Sequence, residues 1–219
     1  VKVVICTAHG PEYADLAAIT LPTLKHYCEK HGYYFFYDGN RTDKDACKVA
    51  MFQQAFSAVL PTPTERLGPD DVFVWVDTDA AILNSDIRIE QIVYALMPRS
   101  VHYLIGVDVN GLNSGVFIAR FSPEASLFMT VATSISVASG WADQEGLVQT
   151  AIKSPHKEIY RECPGKVFNC NDYALKGWNF GEYGNYVNRY EPGDFILHLA
   201  GVEEPTRTNK LREYVAMAK

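Results

Sequence analysis

Apolar positions along the chain alternate between two periods, and the alternation predicts a β-α-β-α-β start. Val1–Thr7 (VKVVICT) is a short, β-branched run, the pattern of a strand buried on both faces. Ala8-His9-Gly10-Pro11 breaks it. Tyr13–Lys30 then carries Leu16, Ile19, Leu24, Tyr27 and Cys28 at helical spacing, with Pro22 placed to kink the helix. His31-Gly32 is a stop signal. Tyr33–Tyr37 (YYFFY) reads as the second strand and Ala46–Leu60 as the second helix, with Val49, Phe52, Phe56 and Val59 inward. Pro61–Asp71 is a proline-rich loop. The third strand follows (VFVWV) and ends at Asp77 and Asp79.

The second half is less regular. Ile89–Leu96 is a short helix, and His102–Val107 a strand that ends at Asp108. Asn113-Ser114-Gly115 leads into a strand at Val116–Phe121, and Pro123–Val137 is helical up to the break at Gly140-Trp141. Asp143–Ile152 reads as a helix with Asp143-Gln144-Glu145 in its cap region. Val167–Asn171 is a candidate strand, Trp178–Tyr190 a loop rich in Gly, Asn and aromatics, and Phe195–Leu199 a last strand carrying His198. Leu211–Met217 is a terminal helix. The succession predicts one α/β domain with a mostly parallel sheet between helices. Neither a G-x-G-x-x-G fingerprint nor a Walker A sequence is present.

Composition narrows the partners more than the fold. The chain has 219 residues, enough for a sizeable core, and a net charge of -6, which argues against nucleic acid. No apolar run approaches the length of a membrane span. The five cysteines (6, 28, 47, 163 and 170) match no zinc spacing, and a reducing, cytoplasmic compartment is the simpler expectation. The alternative is a piece of a longer or membrane-anchored protein; the first residue is Val1, and Asn40-Arg41-Thr42 is a formal glycosylation acceptor.

The candidate chemistry sits at the end of the third strand. Side chains alternate along a strand, so Asp77 and Asp79 can point the same way with Thr78 pointing away. Two carboxylates roughly 6 Å apart repel by about 2–3 kcal/mol at an effective dielectric near 20. A cation between them removes that cost, and strand C-termini of open parallel sheets are where ligands bind. The reading is a divalent-metal site for a phosphorylated ligand, with a surface turn as the bland alternative. Asp43-Lys44-Asp45 has the same spacing but lies in a polar stretch, so it reads as a solvated loop.

Four motifs stand in order: Asp77-Thr78-Asp79, Asn113-Ser114-Gly115, Asp143-Gln144, and His198 with Gly201. The set resembles the nucleotide-sugar glycosyltransferases of the GT-A fold, most nearly the glycogenin and lipopolysaccharide galactosyltransferase group, over roughly Val3 to Gly201. It also resembles a glycosyltransferase domain from a large algal virus. The resemblance implies a single GT-A domain whose residues 1–110 bind the nucleotide and whose residues 111–219 bind sugar and acceptor. Asp77, Asp79 and His198 would be the metal ligands, and the histidine favours Mn²⁺, with Mg²⁺ as the alternative. Thr7, Ala8 and Tyr13 would face uridine; Lys48 the donor phosphate or sugar; Gly201 the diphosphate; Asp108, Asn113 and Gly115 the donor sugar. Thr78 would belong to the same donor site. Asp143 and Gln144 would lie beneath the anomeric carbon.

The implied activity is sugar transfer from a UDP-sugar to a glycan, glycoprotein or other hydroxyl acceptor, with retained configuration. Several of these residues also have a structural alternative: His198 alone can be a core histidine satisfied by a backbone carbonyl. Tyr13 can pack a helix start, Lys48 can be a solvated helical lysine, Gly115 can form a tight turn, and Asp143 can cap its helix. The family's lysine after the H-x-x-G segment has no close match; Arg207 and Lys210 are candidates. A haloacid-dehalogenase-like phosphatase is the rival enzyme, although its aspartates end the first core strand and these end the third. A nucleotide-sugar-binding module without turnover is the rival outside enzymes.

Overall fold

Every residue of Val3–Ala8 and of Val72–Val76 is buried, as unbroken β-branched and aromatic runs require when helices cover both faces of a sheet. The computed structural model describes residues 1–41, 46–57, 67–139, 146, 150, 158–172, 175 and 188–218. In chain order the elements are β1 (Val3–Ala8), α1 (Ala14–His31), β2 (Tyr34–Asp38), α2 (Cys47–Ser57), β3 (Val72–Val76), β4 (Ala80–Ile82), α3 (Ile89–Leu96), β5 (Tyr103–Asp108), β6 (Gly111–Arg120), α4 (Pro123–Ser139), β7 (Tyr160–Pro164), β8 (Ile196–His198) and α5 (Thr206–Met217).

Six strands form the main sheet in the order β2-β1-β3-β6-β5-β7, and β4 pairs with β8 in a small second sheet. β1 lies parallel to β2 and β3, and β7 parallel to β5, while β6 runs antiparallel to both β3 and β5. The sheet is therefore mostly parallel with one reversed strand. Alternate side chains of the central strands feed two cores. Val3, Ile5 and Val74 meet Leu24 and Tyr27 of α1 and Ile92 of α3. Val4, Phe73 and Trp75 meet Phe52 of α2 and Phe128 and Met129 of α4. Each such fully buried side chain contributes about 1.5–3 kcal/mol. A third cluster, including Leu16, Ala81, Leu197 and Leu211, fastens the small sheet between α1 and α5.

Several boundaries differ from the sequence expectation. α1 continues through Pro22 and ends at Gly32, whose φ of 68° is the left-handed cap that glycine tolerates. Asn113-Ser114-Gly115 lies inside β6 rather than ahead of it, because a register shift beside Gly106 lets the hairpin pair as far as Asp108 and Gly111. Val167–Asn171 is not a strand. A 3-10 turn at Gly165–Val167 is followed by isolated bridges from Cys170 to Leu197 and from Asn171 to Arg189. β7 gave no signal, since only Cys163 in it is buried. α5 begins at Thr206, not Leu211, which puts Arg207 on a helix. The five cysteines are buried thiols, not disulfides; burial pushes Cys28 and Cys163 up to about 12, far from a reactive thiolate. Among the described residues no helix is long and apolar enough to cross a membrane. The second Asp pair, most of Asp143–Ile152 and the loop from Trp178 to Val187 lie outside the described residues.

Candidate active site

β3 ends at Val76, and the chain turns through Asp77, Thr78 and Asp79 before β4 begins. The turn is tied at three points. Asp77 N–H donates to the Gly115 carbonyl at 2.7 Å, and Leu199 N–H to the Asp79 carbonyl at 3.1 Å. Thr78 Oγ1 donates to the Ala8 carbonyl at 3.3 Å while its own carbonyl accepts from Thr20 Oγ1 at 2.9 Å. Thr78 thus faces away from the carboxylates, toward β1 and α1.

Asp77, Asp79 and His198 each bring a ligand atom within 4.8 Å of the others. His198 Nε2 lies 3.2 Å from Asp79 Oδ1 and 4.0 Å from Asp77 Oδ2. Gly115 makes this possible, because a Cβ there would fall 1.9 Å from His198 Cε1. Its closest described neighbour is the imidazole. The other His198 nitrogen, Nδ1, faces Asn169 Oδ1 at 3.0 Å.

The two carboxylates have separate cations. Lys48 Nζ is 3.4 Å from Asp77 Oδ1 and donates to the Ser114 carbonyl at 2.9 Å and hydroxyl at 3.1 Å. Its side chain is half-buried against Asp77 and Ser114 rather than solvated. The Trp75 indole donates to the same Asp77 oxygen at 2.5 Å. Arg207 donates to Asp79 Oδ2 at 3.2 Å and to Glu204 Oε1 at 3.0 Å, and it lies 6.0 Å over the Tyr13 ring. Lys210, the other candidate, pairs with Glu213 instead. Burial opposes the charge on Asp79, but His198 and Arg207 overcome it and hold the carboxyl down to about 2. Burial likewise opposes charge on His198, and Asp79 and Asp77 leave its pKa above the ordinary value.

The remaining expected residues divide. Thr7 and Ala8 end β1, and Tyr13 closes the 3-10 turn that precedes α1. Asp108 and Asn113 are joined by a 2.8 Å hydrogen bond. Gly201 follows β8 with φ 66°, a conformation that suits glycine. Asp143 and Gln144 lie outside the described residues. Sequence reasoning missed Asn169 and the Trp75 indole. Asn169 carries no sequence signal beyond being a lone amide between Phe168 and Cys170 in a candidate strand; the structure buries it.

No protein-family model matches the chain. It is 23% identical over 216 residues to the alpha-1,2-galactosyltransferase of Schizosaccharomyces pombe, covering 81% of this chain and 54% of that protein. The chain thus spans about half the length of the curated relative it matches. Among solved structures it is similar to a glycosyltransferase involved in glycosylation of the major capsid of PBCV-1, with a TM-score of 0.71, 18% identity, and 97% and 100% of the two chains covered. It is also similar to the galactosyltransferase LgtC (TM-score 0.57, 9% identity, 98% and 95% covered). A third is the glycosyltransferase GlyE of Streptococcus pneumoniae TIGR4 (TM-score 0.63, 12% identity, 98% and 60% covered). The architecture is the GT-A fold of these glycosyltransferases.

Proposed function

We propose that this chain is a metal-dependent glycosyltransferase domain that moves a sugar from a UDP-sugar to a hydroxyl of a glycan or other acceptor. The observation that carries the reading is the convergence of Asp77, Asp79 and His198 at the C-terminal end of a central strand in this fold. Two carboxylates and an imidazole with their ligand atoms within 4.8 Å suit one divalent ion, and the nitrogen ligand favours Mn²⁺ over Mg²⁺. When bound, that ion neutralises the diphosphate and stabilises the departing nucleotide.

The chain's own residues supply the rest. Residues 1–110 form the nucleotide half: Thr7, Ala8 and Tyr13 face the uridine, and Lys48 the donor phosphate or sugar. Thr78 sits in the donor site between the two acids with its side chain turned toward β1 and α1. Gly201, from the other half, approaches the diphosphate. Arg207 takes the place of the missing family lysine, because it is held at Asp79 while Lys210 is engaged elsewhere. Residues 111–219, with Asp108, form the sugar and acceptor half, where Asn113 and Gly115 line the donor sugar. Asp143 and Gln144 face the anomeric carbon as its bond to the diphosphate breaks and an acceptor oxygen bonds to it, with configuration retained.

Calorimetric titration of UDP with and without Mn²⁺, on the wild type and Asp79→Ala, tests the reading. Metal-dependent binding that the substitution abolishes is the expected result, followed by hydrolysis or transfer with a panel of UDP-sugars. Loss of all metal-dependent UDP binding in the wild type sinks the donor assignment, and binding without turnover leaves a nucleotide-sugar-binding module.

A further inference from the structure

His198 can present a lone pair to a metal from Nε2 only if its proton sits on Nδ1. Which tautomer the protein imposes follows from a backbone group. Gly115 N–H is a donor and lies 2.9 Å from the Asn113 side chain, so the atom facing it is the carboxamide oxygen. The same oxygen faces Asn169 at 3.0 Å, so Asn169 must turn its NH₂ there. The remaining Asn169 atom, its oxygen, then faces His198 Nδ1 at 3.0 Å and needs a proton from it. At the other end, Asn113 NH₂ donates to Asp108 Oδ2 at 2.8 Å, while Asp108 Oδ1 accepts from Asn110 N–H at 2.6 Å. Asp108, Asn113, Asn169 and His198 are all at most 5% exposed, so water offers none of them an easy alternative partner. The backbone is shaped for this packing: a Cβ on Gly106 would sit only 3.2 Å from Asn169 Cβ.

We propose that Asp108, Asn113 and Asn169 form a one-way hydrogen-bond relay that fixes His198 in its Nδ1–H tautomer and aims Nε2 between Asp77 and Asp79. The inference rests on the metal-centre reading of that site for its purpose, but not for its geometry. Each donor in the relay points toward the Asp108 carboxylate, so the imidazole is oriented and made more basic from a distance by a buried charge. The three are positioning residues for the metal ligand. Each carboxylate oxygen can accept twice, so Asp108 can serve the relay and a sugar hydroxyl together. The relay would then join the donor-sugar end of the site to its metal end.

The test uses the whole chain labelled with ¹⁵N-histidine, and imidazole nitrogen shifts that report the tautomer. Spectra are recorded with Zn²⁺, which is diamagnetic, and without metal at alkaline pH, where the imidazole is neutral. The relay requires Nδ1–H in both; Nε2–H in the wild type overturns it. Asn169→Ala should mix the tautomers and weaken binding of Mn²⁺ alone, with no nucleotide present, by about 10- to 100-fold. Asn169→Asp keeps the acceptor and should restore Nδ1–H. An unchanged tautomer and Mn²⁺ affinity in Asn169→Ala overturn the proposal. If the wild type binds no metal yet shows Nδ1–H without it, the relay stands and the metal-centre reading falls.

Discussion

Asp77 and Asp79 are two residues apart in sequence but belong to different parts of the architecture. Asp77 hangs from the main sheet: its backbone is held by Gly115 on β6 and its carboxylate by Trp75 on β3 and Lys48 on α2. Asp79 belongs to the small sheet and the C-terminal helix: Leu199 holds its backbone, and His198 and Arg207 flank its carboxylate. The site is therefore a seam where two sheets meet, with a cation from each side and His198 reaching both acids. The difference teaches that the first acid is fixed by neighbouring strands, whereas the second is fixed by residues more than a hundred positions later. Ion pairing at the seam fastens the late segment to the early one.

Replacing each acid in turn is the strongest way to break that comparison. Both Asp77→Ala and Asp79→Ala should abolish metal-dependent transfer, a fall of about 10³-fold if the metal supplies roughly 4 kcal/mol of transition-state stabilisation. Their effects on folding should differ. Asp79→Ala strands His198 and Arg207 without their shared partner, which costs about 3 kcal/mol for a buried pair. Asp77→Ala leaves Lys48 its bonds to Ser114 and should cost about 1–2 kcal/mol through the orphaned indole. Equal losses in urea denaturation would show that the two sides are not distinct.

Gly115→Ala attacks the seam without touching a charge. Its Cβ would overlap His198 Cε1 at 1.9 Å, so the imidazole must move. Overpacking of this kind costs about 1–3 kcal/mol. Mn²⁺ affinity should fall roughly 100-fold even though Asp77 and Asp79 remain, the upper range for a displaced metal-site orientation. Wild-type Mn²⁺ affinity in a folded Gly115→Ala protein would show that the glycine does not seat the ligand.

A change of pH sharpens the comparison by acting on the one residue that spans the seam. His198 has a pKa raised above that of an ordinary imidazole, because the Asp79 and Asp77 carboxylates outweigh the pull of burial. In chelator-treated protein its stabilising charge is fully present below about pH 6.5 and is lost as pH rises through the raised value. Metal binding needs the neutral ring, so Mn²⁺ affinity should rise with pH over the same interval, by up to about tenfold per unit, with release of a proton. Asp79, held down to about 2, stays charged throughout. Thermal melts at several pH values, with chelator and with Mn²⁺, should therefore show opposite trends. Parallel trends would mean that His198 does not couple the metal to the fold.

The same division explains what the sequence revealed. The β-α-β-α-β start was legible because its strands are buried on both faces and announce themselves as apolar runs. Asp77, Asp79 and His198 were legible because each ends or closes such a run. β7 was not, since four of its five residues are not buried and its pairing is set by β5 rather than by its own pattern. Asn169 was hidden for a related reason. A buried amide has no periodicity, and its value comes from partners on β6 and β8 that only the fold assembles. Asn113-Ser114-Gly115 is a motif in the sequence, but the role of Gly115 as the space for an imidazole exists only in three dimensions.

The smallest effect discriminates most finely between the two sides. Arg207 and Lys210 are three residues apart on α5 and carry the same formal charge, so both are candidates for the family's lysine after the H-x-x-G segment. Arg207 reaches Asp79 at 3.2 Å, whereas Lys210 Nζ is taken by Glu213 at 2.5 Å on a more exposed face. Arg207→Ala should weaken Mn²⁺-dependent UDP binding about tenfold, the loss of one charge-assisted contact. Lys210→Ala should change it by less than about twofold, because an exposed pair contributes little. Arg207→Lys should fall between the two, keeping a charge but losing the forked geometry that reaches Asp79 and Glu204 together. Calorimetry on the three variants decides the matter. Equal losses for Arg207→Ala and Lys210→Ala would mean that α5 acts through its summed field, and the assignment of Arg207 to the Asp79 side of the seam would fail.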